Sequence, residues 1–508
     1  MQIEQLYKIF QSHPRVTTDS RNVPPHSIFF ALKGDKFDGN DYILQTLEAG
    51  ADYAVGERCA LSNVPDDARI IQVDNVLQTL QDLANYHRKQ MPATVIGITG
   101  TNGKTTTKEL IAAALSFQYR TLYTQGNLNN HIGVPLTLLQ ITPEHQFAVI
   151  EMGANHPGEI QALCHIAEPD FGLITNVGKA HLEGFGSFEG VVKTKTELYA
   201  FLSENGGTAF ANLDNLILKD LYTALNRVYY GTTPEAFIHG HITASAPTLA
   251  LEWNTGVRGV RRRLQPTPVD DMRRRLEPTP NERRGEAITT QLVGAYNFEN
   301  VLAAICVASC FNVPDEKINR AISEYNPTNN RSQQLKTAHN DLIVDAYNAN
   351  PSSMQAALDN FNLLNVTPKM VILGEMRELG KYSAEEHQKI IAQLQKSNID
   401  KIFLVGDNFS LSDRHCECNE AIQTSTVSNG LLHSVRNDGM KHSSVRRRLQ
   451  PTSVDDTRRS VDATPNALKF FATTDELITY LQHHPVSGYH ILIKGSRGNQ
   501  LEKVIPSV

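Results

Sequence analysis

A glycine-rich loop followed by a lysine and two threonines separates an apolar segment from a segment with helical spacing. Backbone N–H groups at a helix start bind phosphate oxygens, a lysine neutralises terminal phosphates, and a threonine hydroxyl can ligate Mg²⁺. The strict phosphate-loop pattern requires a glycine where this chain has Ile98, but the Gly-Lys-Thr centre and its context are kept. We therefore predict that a nucleotide's phosphates are bound by Gly100, Thr101, Asn102, Gly103, Lys104, Thr105 and Thr106.

Three further ionisable side chains could interact with charged ligands beside this loop. Glu151 ends an apolar run, where a carboxylate could meet Mg²⁺, and His181 and Lys195 follow the next run. Taken singly, Glu151 is more typical of a surface acid, and His181 of a loop histidine with satisfied hydrogen bonds. The glycine-rich stretch 184–190 is predicted to be a loop. The sequence has no Asn-Lys-x-Asp motif, which a GTPase should show to select guanine.

Alternating strands and helices must position these residues. Apolar runs that end at glycine or polar residues predict strands at 27–32, 94–100, 147–150 and 171–174. Helical spacing predicts helices at 76–90 and 106–117. A second doubly wound sheet is predicted from runs at 342–345, 370–374, 401–406 and 490–495. This alternation indicates an α/β fold with parallel sheets covered on both faces.

The length of 508 residues favours several domains, since about 150 residues per domain is typical. We predict an N-terminal domain at 1–92, a central phosphate-loop domain with a parallel sheet at 93–324, and a C-terminal Rossmann-like domain at 325–508. Six cysteines cannot form a disulfide framework, and neither a secretion signal nor an apolar run long enough to cross a bilayer is apparent. We therefore expect a cytoplasmic protein without membrane insertion.

Two arginine-rich segments interrupt an otherwise acidic chain. Segment 258–284 carries nine Arg against four acids, and segment 434–466 carries six Arg and one Lys against four acids. The net charge of −6 therefore leaves −6 − 5 − 3 = −14 on the remaining chain. Such basic patches could suggest a nucleic-acid binder. However, residues 260–271 recur at 445–456 with one difference, and these short, proline-containing copies are far apart. We interpret them as insertions at about 258–285 and 434–466, and expect no nucleic-acid partner.

Deleting residues 260–280 or 445–463 should leave enzymatic activity and DNA affinity almost unchanged. Long surface insertions cost little loop-closure entropy, and these segments contain few large apolar side chains that could pack. The measurement compares turnover and salt-dependent DNA binding of each deletion variant with the full chain. Loss of activity in either variant, or specific DNA binding by the full chain, would refute the insertion hypothesis.

The combination of motifs resembles the Mur ligases, the ATP-dependent amide-forming enzymes of peptidoglycan synthesis. The shared pattern is matched by Thr99-Gly-Thr-Asn-Gly-Lys-Thr105, Glu151, His181, Lys195, Asn297-Phe-Glu-Asn300, Arg331 and Asp345. A narrower resemblance is to members that join D-alanyl-D-alanine to UDP-N-acetylmuramoyl-tripeptide. It is carried by residues 126–135, Asp345-Ala-Tyr-Asn-Ala-Asn-Pro-Ser-Ser-Met354, Leu373-Gly-Glu-Met-Arg-Glu-Leu-Gly380 and Lys494-Gly-Ser-Arg497.

The resemblance implies ATP and Mg²⁺ as cofactors and an acyl phosphate as intermediate. It implies catalytic roles for Lys104, Glu151, His181 and Lys195, with metal held by Thr105, Glu151, His181 and a carbamylated Lys195. Asn297 would contact adenine, and Arg331 and Asp345 the rest of the nucleotide. Candidate substrate contacts are Ser20, Arg21, Asn129, Asn130, Asn348 and Lys494. We expect a monomer. Other ligases of the superfamily stay open as alternatives, although folate-tailing members have less chain before the phosphate loop.

Overall fold

The computed structural model describes residues 1–61, 67–256, 287–327, 330–409 and 468–508. Both predicted arginine-rich insertions, and the repeats inside them, lie outside these residues. The described chain forms three sheets of four, nine and six strands, together with a two-stranded hairpin. Each of the three sheets belongs to a different part of the sequence, and helices pack against it.

The first sheet is parallel, in the order β1-β2-β5-β6. The predicted strand at 27–32 and helix at 76–90 are confirmed as β2 and α3. Asn75 caps α3 by accepting a hydrogen bond from the Gln78 N–H. The elements of this part are α1 Ile3–Ser12, β1 Arg15–Thr17, β2 Ser27–Phe30, β3 Lys33–Gly34, β4 Phe37–Asp38, α2 Ile43–Glu48, β5 Ala51–Glu57, β6 Ile70–Val73 and α3 Val76–Gln90.

Helix α3 joins the first part of the chain to the second. His87 Nε2 lies 2.8 Å from the Ile141 carbonyl oxygen, and the Arg88 guanidinium lies 2.8 Å from the Asp170 carboxylate. Buried apolar side chains of α1 and α3 continue into the core of the central sheet. The first part is therefore packed directly against the second.

The nine-stranded sheet has the order β15-β14-β13-β12-β11-β10-β7-β9-β8. The predicted strands at 94–100, 147–150 and 171–174 are confirmed as β7, β9 and β10, and the helix predicted at 106–117 begins two residues earlier as α4. The elements are β7 Thr94–Thr99, α4 Lys104–Ser116, β8 Thr121–Tyr123, α5 Gly133–Leu138, β9 Phe147–Glu151, α6 Glu159–Ala167, β10 Phe171–Ile174, α7 Leu182–Phe185, α8 Phe188–Lys195, α9 Glu197–Glu204, β11 Thr208–Asn212, β12 Asn226–Gly231, β13 Ile238–Ala244, β14 Ala250–Thr255, β15 Ile288–Thr289, α10 Phe298–Cys310 and α11 Asp315–Glu324.

Two features of this part correct the sequence analysis. The strands from β8 to β13 run parallel as predicted, but β14 and β15 add an antiparallel edge. Strand β13 is buried at its start, where it pairs with both neighbours, and exposed at its end, where it pairs only with the antiparallel β14. The stretch 184–190 is also not a loop, since α7 and α8 cover most of it. Ser187 starts α8 by accepting a hydrogen bond from the Gly190 N–H at 3.2 Å.

The third sheet has the order β16-β17-β21-β18-β19-β20, parallel except for the edge strand β16. All four strands predicted here are confirmed, as β17, β18, β19 and β21. The elements are β16 Gln333–Lys336, β17 Asp341–Asp345, α12 Pro351–Leu363, β18 Lys369–Gly374, α13 Ser383–Gln395, β19 Lys401–Val405, β20 Leu468–Phe471, α14 Thr474–His483 and β21 His490–Lys494.

Helix α10 is apolar around most of its circumference, and nearly all of its residues are buried. A helix of this kind belongs in a core, and α10 packs against α4, the helix that follows the phosphate loop. The buried helix α10 therefore supports α4 and, through it, the phosphate loop. Within the described parts of the chain, no helix combines the length and apolarity needed to span a bilayer.

Candidate active site

The phosphate loop turns at the carboxyl end of β7 and leads directly into α4. Gly103 caps this helix with φ = 80°, in the left-handed region that glycine adopts without strain. A Cβ atom at Gly103 would lie 2.4 Å from Asn300 Oδ1, so the close approach also requires glycine. The first N–H groups of α4 point away from the helix body and have no partner within it. This geometry suits the binding of phosphate oxygens.

The rest of the loop is fixed by residues that follow β10. The Thr101 N–H donates to the carbonyl oxygen of Asn176, and the Asn102 N–H donates to its side-chain Oδ1. The Thr175 hydroxyl donates to the Asn102 carbonyl at 2.6 Å. These hydrogen bonds fix the shape of the loop. Thr175 and Asn176 were not predicted to contribute, although their position directly after a predicted strand was a usable signal.

Three buried polar atoms beside the loop lack a hydrogen-bond partner among the described residues. They are Thr105 Oγ1, Glu151 Oε2 and Lys108 Nζ. Asn129 Nδ2 donates to Glu151 Oε1 at 2.8 Å, which leaves Oε2 unsatisfied. Buried polar atoms are rarely left without partners, and hydroxyl and carboxylate oxygens are the ligands that Mg²⁺ prefers. The residues present therefore fit a magnesium ion.

Protein side chains alone do not form a complete metal cage here. The described ranges contain no cluster of three or more His, Cys, Asp or Glu residues that could hold a metal ion. Mg²⁺ in nucleotide enzymes is commonly bound by one or two carboxylates together with substrate phosphates and water. Thr105 and Glu151 match that minimal ligand set.

Lys104 folds back over the loop, where its Nζ donates to the carbonyls of Gly100 and Thr101 at 2.9 and 3.0 Å. Burial lowers its pKa to about 8, an effect that Arg331 reinforces and Glu151 opposes. A cation whose charge is disfavoured in this way gains from the arrival of an anion. Lys104 is therefore well prepared to accept terminal phosphates.

Lys195 ends α8 in a buried position with 2% exposure. Its Nζ lies 3.4 Å from the Ala154 carbonyl oxygen and 5.3 Å from the centre of the Phe185 ring. Burial and, to a smaller extent, the neighbouring Lys104 lower its pKa to about 7, while Glu159 and Glu197 oppose the shift. The surroundings of Lys195 therefore disfavour its charged form.

His181 stands at the start of α7 with φ = 51°, an unusual conformation for a residue with a side chain. Such backbone strain is concentrated at functional sites. Its Nδ1 contacts the Glu378 carboxylate from the third part of the chain. The adjacent imidazole lowers the pKa of Glu378, with burial acting in the opposite direction. Glu378 belongs to the motif at 373–380 that carries the narrower family resemblance, but it was not predicted as a site residue.

The third part of the chain also reaches the phosphate loop itself. Asn350 Nδ2 donates to Asn102 Oδ1 at 2.8 Å, and the Ser352 hydroxyl accepts from the Lys179 N–H at 3.0 Å. The guanidinium of Arg331 lies 3.8 Å from the centre of the Tyr347 ring. The contacts of Asn350 and Ser352 place the third part directly over the loop that the central sheet presents.

The predicted contacts Asp345 and Lys494 lie opposite each other at the ends of β17 and β21. The buried Lys494 and the partly buried Asp345 form an ion pair at 2.5 Å, and Lys494 Nζ also lies 3.5 Å from the carbonyl of Asn348. Asn297 is buried, with Nδ2 donating to the Val293 carbonyl and Oδ1 accepting from Asn300. Its predicted contact with adenine stays a prediction.

The remaining predicted substrate residues have structural partners of their own. Asn130 Oδ1 accepts from the N–H groups of Ile132 and Gly133 at the start of α5. Ser20 and Arg21 follow β1 in a separate loop, where Arg21 pairs with Asp19 at 2.9 Å. Asn129 is the member of this group that touches the phosphate-loop site, through Glu151.

Comparison with known proteins agrees with this geometry along most of the chain. The Mur ligase middle domain matches residues 98–308, the Mur ligase glutamate ligase domain matches 330–497, and the Mur ligase family catalytic domain matches 14–88. The chain belongs to the Mur ligase family. These matches together cover the phosphate loop, Glu151, His181, Lys195 and the residues of the third part that dock over them.

Several relatives of this Mur ligase carry one name, UDP-N-acetylmuramoyl-tripeptide–D-alanyl-D-alanine ligase. The protein from Bacillus subtilis (strain 168) is 33% identical over 77% of this chain and 79% of its own length. The protein from Escherichia coli (strain K12) is 36% identical over 77% of this chain and 81% of its own. A crystal structure of MurF from Acinetobacter baumannii has a TM-score of 0.72 at 27% identity, covering 97% of this chain and 92% of that one.

The buried cation Lys108 of this Mur ligase allows a prediction about the free energy of unfolding. Lys108 is completely buried, and its Nζ lies 3.7 Å from Glu151 Oε2 and from Glu109 Oε1. Replacing it with methionine should lower the free energy of unfolding of the nucleotide-free protein by about 3 kcal/mol, because Glu151 is left buried without this cation. Urea denaturation provides the measurement. The double variant Lys108→Met/Glu151→Gln should recover much of the loss, and full stability of the single variant would contradict the prediction.

Proposed function

We propose that the protein is an ATP-dependent ligase that joins D-alanyl-D-alanine to UDP-N-acetylmuramoyl-tripeptide in peptidoglycan precursor synthesis. The observation that carries this proposal is the phosphate loop with its unsatisfied Thr105 and Glu151 oxygens, covered by residues of the third part. It is supported by relatives of that name that align over more than three quarters of the chain. Alternatives are a ligase of the same family for another acceptor, and a nucleic-acid binder.

The chemistry must overcome the low reactivity of a carboxylate. A terminal carboxylate oxygen of the tripeptide attacks the γ-phosphorus of ATP, the bond to the bridging oxygen breaks, and ADP leaves. The amine of D-alanyl-D-alanine then attacks the acyl carbon, phosphate leaves with the former carboxylate oxygen, and the amine loses a proton. The protein does not supply the nucleophile; it neutralises charge and aligns the partners.

We assign the charged groups of the site to these tasks. Lys104 neutralises the β and γ phosphates, and the N–H groups at the start of α4 hold their oxygens. Thr105, Glu151 and His181 would hold Mg²⁺, which would supply positive charge to the phosphates and the acceptor carboxylate. Arg331 and Asp345 are proposed to contact the nucleotide from the third part, so that closure excludes water from the acyl phosphate.

We further propose that Lys195 is carbamylated. Its buried amine has one long carbonyl contact among the described residues, which satisfies an ammonium group poorly. The neutral amine can attack the carbon of CO₂, forming an N–C bond and releasing a proton to solvent. The product is an anion, so that a carbamate at Lys195 would add negative charge where a cation is to be held.

A cavity in the third part is a candidate site for the dipeptide. It has a volume of about 380 Å³ and opens where β18, β19, β20 and β21 end. Ligands commonly bind at this edge of a doubly wound sheet. Arg377 and Lys503 could pair with a carboxylate, and Glu375 and Asp407 with an ammonium group. A zwitterionic dipeptide requires both charges.

We also propose that the enzyme acts as a monomer in the cytoplasm without a nucleic-acid partner.

An assay of ATP-dependent phosphate release tests the proposed function. UDP-N-acetylmuramoyl-tripeptide is supplied with D-alanyl-D-alanine, with single amino acids or with no acceptor, and folate replaces the tripeptide in a further reaction. We expect phosphate release and a new amide product with D-alanyl-D-alanine. Turnover with folate or a single amino acid in place of the dipeptide would instead assign the protein to another activity of the family. Absence of turnover with every pair would reject the ligase proposal.

A further inference from the structure

The loop 375–380 of the third part connects the cavity described above to His181. Glu375 and Arg377 line the cavity, and Glu378 contacts the His181 imidazole from the opposite part of the same loop. No role for Glu378 follows from the phosphate loop or from the charged groups already assigned. The role of this carboxylate beside the histidine is therefore still to be explained.

The loop is held against α7 by its backbone as well as by this side chain. The Glu183 N–H donates to the Glu378 carbonyl at 3.3 Å, and Glu378 has φ = 63°. Gly380 has φ = 52°, and a Cβ atom there would lie 3.2 Å from Glu183 Cβ. A left-handed residue followed two positions later by a closely packed glycine gives the loop a specific shape. This shape presents the Glu378 carboxylate to His181.

A histidine that binds a metal uses one ring nitrogen and usually donates the N–H of the other to a carboxylate or carbonyl. The second contact fixes both the tautomer and the orientation of the ring. In His181, Nδ1 faces Glu378, which leaves Nε2 as the nitrogen with a lone pair. The Phe185 ring packs edge-on against the imidazole at a centroid distance of 6.2 Å and limits its rotation further.

We propose that Glu378 is a positioning residue that orients His181 for Mg²⁺ when the third part docks on the central sheet. This inference rests on the proposed function. Two other contacts cross the same boundary, Lys179 with Glu386 at 3.1 Å and Asn350 with Asn102 at 2.8 Å. The docked arrangement therefore both supports His181 and covers the phosphate loop.

The test compares Glu378→Gln with Glu385→Gln in the full-length protein. Glu385 is an exposed carboxylate of the same part of the chain that pairs with Lys389, so its variant is a matched control. Mn²⁺ replaces Mg²⁺ as a probe, and its affinity is measured by electron paramagnetic resonance in the presence of a non-hydrolysable ATP analogue and the UDP-tripeptide. Melting temperatures establish that both variants are folded.

We expect Glu378→Gln to weaken Mn²⁺ binding and to lower kcat by about 10- to 100-fold, the range typical of such supporting carboxylates. The KM for ATP should stay near the wild-type value, because the phosphate loop is intact, and Glu385→Gln should match the wild type throughout. Unchanged Mn²⁺ affinity would overturn the inference. Tighter Mn²⁺ binding would also overturn it, because Glu378 would then compete with the metal for Nδ1. Failure of the wild type to ligate would reject the proposed function separately, since the metal measurement does not depend on turnover.

Discussion

Replacing Lys104 with alanine should abolish ligation while leaving the protein folded. The side chain supplies the cation for the terminal phosphates, and loss of one preorganised charge contact typically costs about 10²-fold or more in rate. Its Nζ donates hydrogen bonds to loop carbonyls, and the buried Glu151, which also interacts with its charge, still has Lys108 at 3.7 Å when Lys104 is removed. The measurements are kcat for phosphate release and the melting temperature. Near-normal turnover in a folded variant would refute the assignment of the phosphate loop.

A control variant and a measurement of stability against pH provide further tests of the role of Lys104. Lys89→Ala removes an exposed lysine that pairs with Glu168 on the surface, and it should retain full activity. The pH dependence of stability is the second comparison. Lys104 has a pKa of about 8 in the folded protein and an ordinary value near 10.5 when unfolded. The unfolded chain therefore binds more protons between these values, so stability should rise with pH there. The alanine variant should lack this contribution.

Replacing Lys195 with alanine should impair ligation severely, by roughly 10²-fold or more, and formate or acetate should restore part of the activity. If the residue is carbamylated, its role is anionic, and a small carboxylate can enter the space that the side chain leaves. An ordinary ammonium group would be replaced by small amines instead. The measurement is turnover as a function of added carboxylate or amine.

Lys193 provides the control for this experiment, because it is exposed and lies two residues earlier in the same helix α8. Lys193→Ala should remain active and respond to neither additive. Rescue of the Lys195 variant by amines alone, or equal damage at Lys193, would refute carbamylation. Neither result would alter the ligase proposal, since both variants leave the phosphate loop intact.

The sequence predicted those parts of the site that are built from short stretches of chain. Gly103, Lys104 and Thr105 act through the local turn between β7 and α4, and the apolar runs before them form strands as expected. Glu151 lies beside the loop because β7 and β9 are neighbouring parallel strands. Local spacing and the rules of parallel sheets were sufficient for these residues.

Residues that meet across the parts of the chain were not predictable in the same way. Lys108 looks like a surface lysine of an amphipathic helix, yet it is fully buried beside Glu151. The contacts of Asn350 with Asn102 and of Glu378 with His181 join residues far apart in sequence. They depend on how the third part docks, which no local pattern encodes. The antiparallel strands β14 and β15 were missed because one of the predicted insertions separates them in the sequence.

The transfer of oxygen from substrate to phosphate tests the central claim most directly. UDP-N-acetylmuramoyl-tripeptide labelled with ¹⁸O in both oxygens of its terminal carboxylate is incubated with ATP, Mg²⁺, D-alanyl-D-alanine and the protein. Mass spectrometry then measures the label in the released phosphate and in the ligated peptide. Ligation through an acyl phosphate predicts one ¹⁸O atom in each phosphate and one in the new amide carbonyl. Unlabelled phosphate released together with ADP would contradict the account.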